Sequence, residues 1–147
     1  MYSIVRFPTP LVLAFALMSP AVEQRREPPA GTTAESEYHR GLRARVSRDW
    51  KAAEAAFRVA VSGQAAFPEA WNELGFALRN QGRYAESLTA YEEALRLRPD
   101  FPEALAYLGE AYLALGRLED ARRLVDRLRV LDAPRARELA EVIDRRK

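Results

Sequence analysis

The chain has 147 residues, 48% of them hydrophobic and 30% charged, the balance of one folded domain and not of a disordered chain. It contains no cysteine, which excludes disulfides, thiolate metal sites, cysteine nucleophiles and lipid attachment through an amino-terminal cysteine. The net charge of +2 hides a segregation, because residues 22–67 carry eight basic and six acidic side chains, 68–116 four and eight, and 117–147 ten and seven; nucleic acid needs a clustered basic face, so an acidic middle argues against it.

At the amino terminus Arg6 gives a positive start, Leu11 to Met18 form an unbroken apolar run of eight residues, and Ser19, Pro20 and Ala21 supply a small-residue cleavage site. Residues 1–21 are therefore expected to be an export signal cut after Ala21, which would place the protein in a periplasm or on the outer face of a membrane. The run falls short of the roughly twenty residues that span a bilayer, and Pro8 and Pro10 prevent a helical extension backwards. Two rival readings remain: an uncleaved membrane anchor, and a cytoplasmic protein with a mis-assigned start. Residues 22–33 (VEQRREPPAGTT) have charge, prolines and glycine without apolar periodicity and read as a flexible linker.

From Ala34 onward, residue types recur every 34 positions: Gly41, Gly75 and Gly109; Ala53, Ser87 and Ala121; Phe57, Tyr91 and Val125; Trp50, Tyr84 and Leu118. A period of this length marks stacked supersecondary units, here spanning about 34–67, 68–101 and 102–133. In the second unit Pro68 opens a helix, Trp71, Leu74, Ala77 and Leu78 form its apolar stripe, and Gly82 closes it in the left-handed conformation. Its second helix runs from about Tyr84 to Arg96, and Pro99 ends it. The third unit repeats the plan with Pro102, Gly116 and a helix from Leu118 to about Leu131. Residues 134–146 read as one more helix, with Ala136, Leu139, Ala140 and Ile143 on its apolar face, suited to capping the array. The expectation is seven helices. Gly75 is expected to face Ser87, and Gly109 to face Ala121, where the two helices of a unit cross.

Candidates for chemistry are few. His39 is the single histidine, so a transition metal would have to rest on one imidazole and carboxylates. The adjacent carboxylates Glu92 with Glu93, and Glu119 with Asp120, diverge by about 100 degrees on a helix and form no proton-sharing dyad. Neither GxGxxG nor GxxxxGK[ST] occurs. Trp50 and Trp71 occupy repeat positions that pack between helices, and the arginines from Arg122 to Arg137 alternate with acids as a solvated face. No catalytic residue, metal or cofactor is expected.

The second unit carries Trp71, Leu74, Gly75, Leu78, Ser87, Tyr91, Ala94 and Pro99 at the offsets of a tetratricopeptide repeat, which it closely resembles. The third matches through Leu105, Leu108, Gly109, Tyr112, Ala121 and Val125, then departs at Leu128, where the family has a small residue. The first keeps Gly41, Ala44, Ala53, Phe57 and Ala60 but has Glu37 and Arg40 at apolar positions, as an exposed first unit would, and Arg48 at the turn glycine. The resemblance implies an all-α, right-handed solenoid of three helix-turn-helix repeats with a carboxy-terminal capping helix. It also implies a concave groove for an extended peptide or a helix of a protein partner, lined by Tyr38, Leu42, Asn72, Phe76, Arg79, Tyr107 and Glu110 and rimmed by Glu69, Glu73 and Glu103. Some relatives grip a chaperone's terminal carboxylate through lysine, asparagine and arginine. The comparable places here hold Tyr38, Leu42, Glu103 and Tyr107, with only Asn72 in common, so apolar peptides with basic residues are expected instead. The implied role is an exported adaptor without catalysis; a small structural subunit held permanently in a membrane-associated complex is the alternative.

Overall fold

The computed structural model describes residues 32–146, which form seven helices: α1 (Ala34–Val46), α2 (Trp50–Gly63), α3 (Pro68–Asn80), α4 (Tyr84–Leu97), α5 (Pro102–Ala114), α6 (Leu118–Leu131) and α7 (Ala133–Asp144). The expected export signal and all but the last two residues of the linker lie outside the described residues. No helix among the described residues is long and apolar enough to cross a membrane. Each helix packs on its neighbours in sequence, and α1, α3, α5 and α7 also touch one another in series, whereas α2, α4 and α6 do not. An inner layer in contact and an outer layer splayed apart bend the right-handed solenoid, with the odd-numbered helices on the concave side.

Local chemistry sets the helix ends. Thr33 and Ser36 form a reciprocal capping box at α1, Thr33 Oγ1 accepting from the Ser36 N–H at 3.1 Å and Ser36 Oγ accepting from the Thr33 N–H at 3.0 Å. Asp49 caps α2 through the Ala52 N–H at 3.0 Å, and Asp132 caps α7 through the Arg135 N–H at 3.1 Å. Helices α3 and α5 begin at Pro68 and Pro102, where the missing N–H is no loss. The turns between paired helices pass through the left-handed region at Gly82 (φ 76°) and Gly116 (φ 72°), as expected. The first unit makes the same turn with Arg48 at φ 58°, so the repeat imposes this conformation even where glycine is lacking.

The crossing glycines are tight for a different reason from the one expected. A Cβ on Gly75 would lie 2.7 Å from the Tyr91 ring, and one on Gly41 would lie 2.5 Å from Phe57. The aromatic sixteen residues on, and not the small residue twelve on, is therefore the nearest neighbour. At the equivalent place Val125 is too short to fill the space over Gly109, and the atom nearest a Cβ there is Leu139 Cδ2 of α7, at 2.5 Å. Leu128 is fully buried in the same cluster as Leu139 and Ile143, which gives its departure from the small-residue pattern a role in docking α7. Burial of each such side chain contributes about 1.5–3 kcal/mol.

One other expectation changes. Glu37 is buried, not solvent-facing, and its Oε2 accepts from Arg40 Nε at 2.8 Å. The first unit thus covers its polar substitution with its own arginine. Trp50 and Trp71 are half-buried; Trp71 packs beside two core clusters while its Nε1–H donates to the Ala65 carbonyl at 2.8 Å, fixing the loop between α2 and α3.

Candidate partner-binding groove

Helices α1, α3 and α5 present their concave faces in series, and the 34-residue period places equivalent positions one above the next. At the centre the Phe76 and Tyr107 rings lie 5.1 Å apart, and Trp50 meets Phe76 at 5.7 Å. The Arg79 guanidinium sits over both Phe76 (5.3 Å) and Tyr107 (5.1 Å) and pairs with Glu110. Phe76, Arg79, Tyr107 and Glu110 therefore form one continuous cluster joining α3 to α5. Phe76 and Tyr107 keep part of their surface open, which leaves apolar area for a partner.

Tyr38, Asn72 and Tyr107 come together in a small cleft of about 170 Å³ that also takes in Arg45, Glu69, Glu73, Phe101 and Glu103. Arg79 and Glu110 border a second, larger cleft of about 560 Å³ between the ends of α3 and α5 and helix α7, with Tyr84 and Arg146 on its walls. Leu42 joins neither cleft. It packs against the core formed by α2 and α3. Asn72 is 4% exposed, so it forms the floor of its cleft and not the surface.

Arg45 was not among the residues that the sequence singled out, although it stands 34 positions before Arg79. Its Nη1 donates to both oxygens of Glu73, at 2.7 and 2.8 Å, and its guanidinium lies 4.4 Å from the Phe76 ring centre. The two arginines play equivalent parts, each tying one unit's first helix to the next unit's carboxylate over a shared aromatic ring. The repeat register was the signal that could have found it.

The electrostatics of the groove are acidic and partly desolvated. Burial pushes the Glu73 carboxyl above its ordinary range; Arg45 opposes this and Glu103 adds to it. Burial, together with Glu73 and Glu69, raises the Tyr38 phenol. Burial also raises Tyr91, whose hydroxyl makes no well-aligned hydrogen bond although Arg79 is near enough to oppose the shift. His39, 57% exposed, has its Nε2 3.9 Å from Glu35 and stands away from both clefts. No group of three or more histidine, aspartate or glutamate side chains able to hold a metal occurs among the described residues.

Comparison with known proteins gives this arrangement its relatives. The chain matches the family model described as tetratricopeptide repeat over residues 38–88 and that described as TPR repeat over residues 75–116. Protein FlbA of Caulobacter vibrioides is 42% identical over 69 residues, a match that takes in 45% of this chain and only 12% of FlbA. Among solved structures, the TPR2B domain of yeast Sti1, in complex with pHsp70, superposes with a TM-score of 0.74 at 18% identity, covering 78% of this chain and 98% of that one. The first TPR domain of Spaghetti (RPAP3), bound to the HSP90 peptide SRMEEVD, gives 0.73 at 17% identity over 77% and 91%. At such identities these likenesses concern the fold. Adjoining family matches that run from α1 through α5, a shared solenoid and left-handed turns repeating at 34 residues agree: the chain belongs to the tetratricopeptide-repeat family.

Proposed function

We propose that this protein is a non-catalytic adaptor that holds an extended peptide or a helix of a protein partner in its concave groove. The observation that carries the reading is the half-open Phe76–Arg79–Tyr107 cluster, an apolar anchor for a partner, set between clefts bordered by Glu69, Glu73, Glu103 and Glu110. The fold-level likeness to peptide-bound domains supports a protein ligand. The chemistry of the groove supports a ligand different from the acidic SRMEEVD segment in one of those structures, because carboxylates repel such a peptide and favour apolar segments with basic residues.

The test is capture of a partner from the native host by the tagged protein. Changing Phe76 and Tyr107 to alanine is expected to abolish capture with helicity, read by circular dichroism, retained. Capture that survives the double change would move the interface to the convex face or to α7.

The proposal includes export, supported by the residue pattern of 1–21. Intact-mass measurement of the protein from its native host is expected to give a chain beginning near Val22. A soluble chain retaining Met1 would sink the export reading and leave the groove reading standing.

A further inference from the structure

The odd-numbered helices all carry a small residue at the same place. Gly41, Gly75, Gly109 and Ala140 are each the eighth residue of α1, α3, α5 and α7, and in the last three a buried leucine (Leu74, Leu108, Leu139) precedes it. In α1 and α3 the helix that follows lays an aromatic ring on this residue, Phe57 of α2 over Gly41 and Tyr91 of α4 over Gly75. Among the described residues no later helix does this for α7. Ala140 instead lies where two open clefts of about 230 and 290 Å³ meet, between α6 and α7. Val125, Ala133, Ala136 and Ile143 supply the apolar walls, and neither cleft shares a residue with the clefts of the groove.

Charge says what fits this face. Arg137 and Asp144 are both exposed and line the clefts seven residues apart on α7, with the half-buried Ala140 between them. One helical stripe therefore reads positive, small, negative. Arg122, Arg129 and Arg135 have acidic partners in this structure, whereas Arg137 has none among the described residues. Turned end for end, the stripe meets itself with opposite signs opposed. An antiparallel copy of α7 would set Arg137 of each chain against Asp144 of the other, twice over, and the two Ala140 methyls at the axis would allow close approach.

We propose that this face of α7 is a dimer contact, in which a second copy of the chain lays its own α7 where α2 lies on α1 and α4 on α3. The two-fold axis makes the exchange reciprocal. The contact centres on one twelve-residue helix per chain, small beside the roughly 800 Å² per partner of a standard interface, so a dimer in exchange with its monomer is expected. The inference stands apart from the groove reading. Both concave grooves stay open, and a dimer holds two partner segments at once.

The experiment is sedimentation equilibrium of the protein as isolated from its host, over a roughly hundredfold concentration range. The mass is expected to rise from one chain to two and stop there. R137D and D144R each bring like charges together on both sides of the axis and are expected to weaken the dimer about tenfold or more, whereas R137D/D144R restores opposed pairs and is expected to recover it. These changes fall on exposed side chains, and circular dichroism checks that helicity is kept. A second readout needs no charge change. The chain has no cysteine, so A140C carries a single thiol at the axis and is expected to link into a disulfide dimer under mild oxidation, while E138C, on the other side of α7, is not. A monomer at every concentration, growth beyond two chains, association indifferent to the single reversals, or a double variant as weak as the singles would overturn the dimer. So would equal linking of the two thiols, or capture of a host partner that R137D abolishes in a protein that stays monomeric, which would give the face to a foreign helix.

Discussion

Gly75 and Gly109 occupy the same register, yet their neighbours differ in stiffness. Alanine at 75 would drive a methyl into the fully buried Tyr91 ring, which has nowhere to turn, whereas alanine at 109 would meet the flexible end of Leu139. G75A is therefore expected to cost about 2–3 kcal/mol and G109A less than about 1 kcal/mol in denaturant unfolding. Arg48 gives the opposite sign. Because it holds φ 58° where Gly82 and Gly116 stand in later units, R48G is expected to stabilise the fold by about 0.5–1 kcal/mol, seen as a higher Tm. At this scale the sequence located every tight position but named the wrong neighbour. Identity at a fixed offset shows that two residues are equivalent between units, not which of them touch. Contact depends on ring length, and Tyr91 reaches where Val125 does not.

Between elements, the units and the cap are joined by side chains that reach about one repeat along the chain: Arg83 to Glu54, Arg127 to the Pro99 carbonyl, Arg135 to Glu103, and Arg146 to the Leu113 carbonyl. Helix α7 continues this series by docking where another unit's first helix would stack, with Ala136, Leu139 and Ile143 buried against α5 and α6. L139A is expected to cost about 2–4 kcal/mol by opening a cavity over Gly109. In that background G109A should turn neutral or stabilising, since its methyl enters the vacated space; a thermal or denaturant double-mutant cycle measures the coupling. Additive effects would show that α7 is not seated on Gly109. The apolar face of α7 was legible from its spacing. Its partner was not, because a cap's contacts are decided by the shape of the last crossing, and only Leu128 in place of a small residue hinted at it.

Over the whole molecule, the period sufficed for the all-helical solenoid and for which helices face inward, since both follow from register alone. The groove was legible in part. Phe76, Arg79, Tyr107 and Glu110 meet across two units, and Tyr38 and Asn72 share a cleft with Tyr107, while the half-buried Leu42 packs against the neighbouring core outside both clefts. Burial of Asn72 and Glu37 could not be read from residue type, because each depends on what neighbouring helices cover. The proposed export segment and most of the linker belong to the 31 residues before those described.

The seat of α7 has a consequence for how such an array changes length. The distinctive contacts of that seat involve Gly109, Val125 and Leu128, all in the last unit, while the joint at Phe101 and Pro102 follows the same proline-opened plan as the joint at Phe67 and Pro68. A duplicated copy of residues 68–101 inserted after Phe101 would meet familiar surfaces on both sides and leave the terminating contacts untouched. The protein is thus divided into an extensible middle and a fixed stop, so its concave face can lengthen by whole units without redesign of its end.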